Sequence, residues 1–219
     1  MRNRELLIAS AGTILGLSYV ATRAYERLPA GTLLPVHWGV TGEPDRMADA
    51  SLALALPVLL CVLFSGLLFA VPKLEPLQPG LDRSVSLLRT TWASLLGLMA
   101  LIELCVAAPA FGLSLPTGLP IVGVGLLLVA IGNALPKSRP GFFIGIRTPW
   151  ALIDEDNWIA THRLGSRTMM AAGGMIVLGT LLPLPPTTRA LLFWLAIATV
   201  VVPPVLYSYL HWRRAQVSS

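Results

Sequence analysis

The sequence predicts an all-α fold: a polytopic bundle of about six transmembrane helices with both termini cytoplasmic. Three observations predict it. Of the 219 residues, 55% are hydrophobic and 12% charged, about half the charged fraction of a soluble domain. Mean hydropathy is +0.73. Several apolar runs approach the roughly 20 residues that cross a bilayer. The net charge of +5 suits the basic cytoplasmic loops of a membrane protein, so direct nucleic-acid binding is not expected. Cys61 and Cys105 lie inside apolar runs and read as small buried hydrophobes, not as a disulfide framework.

Six spans follow in order: Leu6–Ala24, Leu52–Val71, Thr91–Phe111, Gly118–Leu135, Met169–Leu184 and Arg189–Leu210. The opening "MRNR" resembles a signal-peptide start, but Arg23 interrupts the small-residue stretch "VATRA", so the first segment reads as an uncleaved helix. With the N-terminus inside, the inner side holds Arg2, Arg4, Lys73, Arg83, Arg89, Lys137, Arg139, Arg147, Arg163, Arg167, Arg213 and Arg214. The outer side holds Arg23, Arg27, Arg46 and Arg189. That twelve-to-four bias fixes the orientation.

Two connections are long, and long ordered loops carry function. The outer one, Tyr25–Ser51, contains "LPVHWGVTGEPD". Pro35 pre-extends Leu34, Gly39 and Gly42 permit tight turns, and Pro44 and Asp45 form turns. His37 and Trp38 therefore stand on an ordered interfacial loop. Trp38 suits the headgroup level. His37 reads either as a hydrogen-bonded structural histidine or as a metal ligand or proton carrier, with Glu43, Asp45 and Asp49 near it in sequence.

Within the spans, Glu103 lies near the middle of the third. A charge there costs a few kcal/mol on insertion scales, so it should be protonated, paired or facing a polar cavity. Asn133 reads as a helix-packing hydrogen bond. "GTILG" at Gly12–Gly16 and Gly123, Gly125, Gly173, Gly174 and Gly179 read as close helix contacts. Pro57, Pro203 and Pro204 fall within helices and should kink them or free local carbonyls.

The inner connection, Pro136–Thr168, contains "GFFIGIRTPWALIDEDNWIATHRLG". Gly141, Gly145 and Pro149 resist helix, and the apolar residues between them suggest a turn that hugs the membrane. Arg147 should have a fixed partner or reach phosphate headgroups. Then "DEDNWIATHRLG" reads as a short helix capped by Asp154 and stopped at Gly165. It places Trp158 and His162 on one face, with Ile159 and Arg163 beside them and the acids facing water or Arg147. No Ser or Cys nucleophile accompanies these groups, and "THRLG" is not the zinc pattern HExxH.

"IGIRTPWAL" followed by "NWIATHRLG" resembles the signature of the SdpI-like membrane proteins, the sporulation-delaying-toxin immunity family. "LPVHWGVTGEPD" resembles the motif of the DUF1648-type region that precedes it there. The resemblance implies a DUF1648-like region over 1–72 and an SdpI-like region over 73–219. It implies motif roles for Pro35, His37, Gly42, Pro44 and Asp45 outside. Inside, it implies them for Gly145, Arg147, Thr148, Pro149, Trp150, Trp158, Thr161, His162, Arg163 and Gly165. The acidic run Asp154–Asp156 departs from the family pattern.

The implied function is that of an immunity or receptor protein in the plasma membrane. It meets a membrane-active peptide toxin outside and a regulatory protein at the cytoplasmic face, with membrane lipid around it. The alternatives are a membrane metalloprotein or enzyme holding a divalent metal at His37 and Glu103, or a small transporter. Candidate functional residues are His37, Trp38, Asp45, Glu103, Asn133, Arg147, Trp150, Asn157, Trp158, His162 and Arg163.

Overall fold

The computed structural model of the protein describes residues 4–76 and 78–217; Arg2 lies outside them. Helix α1 (Arg4–Tyr25) leads to strands β1 (Leu33–Trp38) and β2 (Pro44–Asp49), and α2 (Ala50–Leu74) follows β2 without a linker. Next come α3 (Gln78–Ala107), ending in a 3-10 turn at Ala108–Phe111, and α4 (Leu119–Ala134), ending in another at Leu135–Lys137. The one-turn α5 (Pro149–Leu152), α6 (Glu155–Leu181) and α7 (Pro186–Val217) complete the chain. Third-span helix α3 begins at Gln78, well before the expected Thr91.

Among the described residues five helical stretches are long and apolar enough to cross a membrane: Arg4–Tyr25, Ala50–Leu74, Ser84–Phe111, Leu119–Lys137 and Pro186–Val217. The chain is a multi-pass membrane protein. Its outward surface agrees: Leu15 is 71% exposed and Leu191 68%, on faces that water would not tolerate over so large an area.

The fifth expected span needs correction. The short helix expected to stop at Gly165 and the span expected from Met169 are one continuous helix, α6, of 27 residues. At 1.5 Å per residue it is about 40 Å long. Its polar first half, through Thr168, keeps it out of the apolar set. Gly165 is not a stop: an added Cβ there would lie 2.3 Å from Ile146 Cδ1, so the glycine admits a neighbour. Helix α6 is sandwiched by α4 and α7. Added Cβ atoms at Gly125 and Gly173 would meet the other residue's carbonyl oxygen at 2.8 and 2.4 Å. By contrast Gly12, Gly16 and Gly174 have nothing within 4 Å, so "GTILG" makes no close contact within the chain. Asn133 is exposed rather than bonded across helices.

The outer loop is more regular than expected. Its residues pair as an antiparallel hairpin, Leu33 opposite Asp49 through Trp38 opposite Pro44, with register shifts on either side of His37. Pro35, which lacks an N–H, sits next to the irregularity, where a two-stranded sheet tolerates it. The hairpin base packs on α1, α2 and α3 through Ala24, Leu34, Ala53 and Val106. Its tip reaches the other side of the bundle: Gly42, at φ +86°, lies against Gly118 and Thr180, and the Arg189 guanidinium donates to the Thr41 carbonyl. At the opposite end, Arg89 of α3 pairs with Glu5 of α1, and Ser208 of α7 meets Asn157 of α6. The start of α1 and the last turns of α7 thus lie at the end away from the hairpin.

The α4–α6 contact predicts a contrast between adjacent glycines. Gly173→Val should lower stability by about 1–3 kcal/mol through overpacking, whereas Gly174→Ala should be close to neutral. Unfolding in detergent micelles reads both; equal effects would contradict the contact.

Candidate functional site

The end opposite the hairpin is built around the start of α6. Asp154 caps the helix, its carboxylate accepting the N–H groups of Asp156 and Asn157 at 2.9 and 3.3 Å, as the sequence predicts. One turn on, Trp158 and His162 stack with ring centroids 4.1 Å apart, and both are fully buried. Against them lies Gly145, at φ +119°. An added Cβ there would lie 2.6 Å from both rings, so backbone conformation and space both demand glycine.

The imidazole has a defined tautomer. Its Nε2 receives the Ile146 N–H at 2.9 Å, and its Nδ1 faces the Trp158 carbonyl at 2.8 Å. A carbonyl only accepts and an N–H only donates. The proton therefore sits on Nδ1 and the ring is neutral. With both ring nitrogens engaged and the side chain fully buried, His162 clasps the motif loop to α6.

A second buried set joins three elements. Thr148 caps α5, accepting the Ala151 N–H, and its hydroxyl meets that of Ser208 at 2.5 Å. Ser208 and Thr161 donate to Asn157 Oδ1 at 2.8 and 3.0 Å, and Asn157 Nδ2 donates to the Ser208 carbonyl at 2.9 Å. Asn157 is thereby satisfied on both sides of its amide. Trp150 leans on Tyr209 and Trp212 of α7. Arg147 is exposed and donates to the Phe142 carbonyl at 2.5 Å. Of the acids, Glu155 and Asp156 face water as expected, and Glu155 also lies 3.6 Å from Arg139. Arg163 is exposed.

Sequence reasoning missed Glu75. Just past α2 and 3% exposed, its carboxylate receives the Phe142 and Phe143 N–H groups at 2.8 and 3.0 Å. An acid directly after a long apolar helix was the available signal. Ser208, a lone hydroxyl in an apolar helix, was missed for the same want of context.

At the hairpin end, His37 Nδ1 and Asp45 Oδ1 are 2.5 Å apart and both side chains are about half exposed. Trp38 packs inward, against the cluster of Leu34 and Ala53 and that of Ile121 and Ile176. Glu103 lies elsewhere. It is fully buried on α3 between Met99 and Val106, and neither carboxylate oxygen has a hydrogen-bond partner among the described residues. The structure does not join it to His37. Among the described residues no three His, Cys, Asp or Glu side chains gather to hold a metal ion.

Removing the clasp tests it: His162→Leu leaves the Ile146 N–H buried without its acceptor and should lower stability in detergent micelles by about 1–3 kcal/mol, and an unchanged unfolding midpoint would refute the assignment.

Comparison with known proteins finds a likeness to one family over part of the chain. Residues 137–208 match the model of the SdpI/YfhL protein family. They include the motif loop, all of α6 and the α7 serine. The chain is also 26% identical over 154 residues to "Immunity protein SdpI" of Bacillus subtilis (strain 168), covering 69% of this chain and 70% of that protein. No solved structure matches. The residues of the motif loop and α6 that lock together are those in which the resemblance lies, and the chain is an SdpI-like membrane protein.

Proposed function

We propose that this chain is a membrane immunity protein that confers tolerance to a membrane-active peptide. The observation that carries the reading is the similarity to an immunity protein over 154 residues, more than twice the span of the family match at 137–208. The geometry supports a division of labour. At the motif end the polar side chains are consumed by internal bonds. At the hairpin end His37 and Asp45 form an exposed pair on a rigid two-stranded support, the natural face for a peptide approaching from outside. The motif end, with Arg147 and Arg163 exposed, is the face for a regulatory protein. On this reading 1–72 is the DUF1648-like unit that presents the hairpin, and 73–219 is the SdpI-like unit.

The orientation is part of the proposal. Helix α6 runs end to end, so the chain passes through the bundle an even number of times. The excess of Lys and Arg at the motif end supports a cytoplasmic position for it and for both termini. A fluorescent protein fused to the C-terminus should fluoresce, and alkaline phosphatase inserted at Thr41 should be active. The reverse pattern would invert the topology.

The immunity reading is tested by expressing the chain in a peptide-sensitive bacterium and challenging it with a panel of membrane-active peptides. Tolerance to at least one should rise several-fold, and His37→Ala should lower it at unchanged protein level. Unchanged sensitivity across the panel would defeat the reading.

A further inference from the structure

Helices α4 and α6 hold exposed polar residues at one height, on one side of their contact. An added Cβ at Gly132 would lie 3.0 Å from Met170 Cγ and 3.1 Å from the Ser166 carbonyl oxygen, and one at Gly125 would lie 2.8 Å from the Gly173 carbonyl oxygen. Later residues of α4 meet earlier residues of α6, so the two helices are antiparallel. Asn133 follows Gly132 and Arg167 follows Ser166, and each is therefore turned about 100° from the contact line. In antiparallel right-handed helices those two turns open to the same side. One helical turn nearer the motif end stand Arg163 on α6 and Lys137, which closes the 3-10 turn packed on α6. All four residues are exposed, and their side chains make no hydrogen bond or ion pair among the described residues. Asp156, the nearest acid on that face of α6, lies two turns before Arg163.

The cluster stands where the hydrocarbon ends. The stretch Leu119–Lys137 has 19 residues and is about 28 Å long, close to the roughly 30 Å of a bilayer's apolar core. Lys137 and Arg163 thus lie at the edge of that core, with Asn133 and Arg167 one turn inside it. Cations and an amide at that depth need partners. The same face continues as an apolar surface: Leu126 of α4 and Met170 and Leu178 of α6 are exposed, and between the last two an added Cβ at Gly174 would meet nothing within 4 Å.

We propose that this cluster binds the phosphate of an anionic phospholipid from the leaflet on the motif side. Lys137, Arg163 and Arg167 gather round the phosphate, and the Asn133 amide donates to the glycerol ester oxygens one turn deeper. The acyl chains lie over Leu126, Met170, Gly174 and Leu178. Charge sets the choice of lipid: three unpaired cations complement a headgroup of net negative charge better than one whose own ammonium balances its phosphate. A soluble anion would answer the cations and leave the apolar half uncovered. The site also gives a partner to Asn133, which has none within the chain. It leaves Arg147 at that end for a regulatory protein and does not depend on the immunity reading.

The full-length protein in non-ionic detergent, titrated with lipid and read by native mass spectrometry, tests it. Phosphatidylglycerol should bind roughly tenfold more tightly than phosphatidylcholine of the same chains, and glycerol 3-phosphate should not bind in the same range. Arg163→Gln with Arg167→Gln should bring phosphatidylglycerol down to the phosphatidylcholine level, while Arg163→Lys with Arg167→Lys should keep most of the preference. Asn133→Leu should weaken binding several-fold, and Arg213→Gln, a charge loss on α7, should leave it unchanged. Equal binding of the two lipids would overturn the proposal, as would a preference that survives the double Gln change. Binding of glycerol 3-phosphate as tight as that of the lipid would assign the cluster to a soluble anion instead. Displacement of the lipid by an acidic peptide at equal concentration would assign it to a protein partner.

Discussion

Helix α6 carries Asn157, His162, Arg163, Ser166 and Arg167 in its first half, yet it runs the length of a bundle whose neighbours are apolar. Polar groups facing hydrocarbon cost too much to leave unpaired, and the structure answers this in two ways. Flanking helices α4 and α7 cover α6, and glycines at 125, 132 and 173 let backbones approach closely enough to exclude lipid. The motif loop then folds over its polar start and supplies the partners: the Ile146 N–H for His162, and Thr148 for Ser208 beside Asn157. The loop is the polar lid that makes a polar helix tolerable in a membrane protein.

That lid is tied to the other part of the chain. Glu75, at the end of α2, receives two loop N–H groups. The beginning of α2 continues directly from the hairpin, whose tip rests on α4, α6 and the start of α7. Helix α2 thus touches the motif loop at one end and carries the hairpin at the other. Cavities follow the same arrangement: one lies under His37 and Trp38, and a second, of about 260 Å³, lies under Phe143–Ile146, both walled by α2, α3 and α4. The two motifs recognisable in the sequence roof opposite ends of one side of the bundle.

Much of this was legible in the chain itself, for identifiable reasons. Long apolar runs give α1, α2, α4 and α7 because length and hydropathy are local properties. The Asp154 cap and the Trp158–His162 face were readable because i,i+4 geometry is local too. What failed was non-local. Gly165 looks like a helix stop until Ile146 is seen against it. Asn133 looks like a helix-packing residue until the helix is turned, and it then lies exposed. The hairpin was hidden because Pro35, Gly39 and Pro44 read as turn formers, and only cross-strand pairing shows that the residues between them are extended. Glu75 and Ser208 gained meaning only from partners 67 and 51 residues away.

The two ends differ in what their polar atoms have left to give. At the motif end Asn157 uses its carbonyl and its amide, His162 uses both ring nitrogens, and Thr148 and Ser208 use their hydroxyls. Trp158 Nε1 makes no hydrogen bond among the described residues, but it is sealed inside the packing. Groups so committed can hold a shape; they cannot bind or transfer without breaking it. His37 and Asp45 spend one contact on each other and remain about half exposed. Glu103 is fully enclosed and has no hydrogen-bond partner among the described residues. On the function proposed above, recognition of a partner falls to the hairpin. The residues that carry the strongest family resemblance belong to the scaffold that keeps the hairpin's support in place.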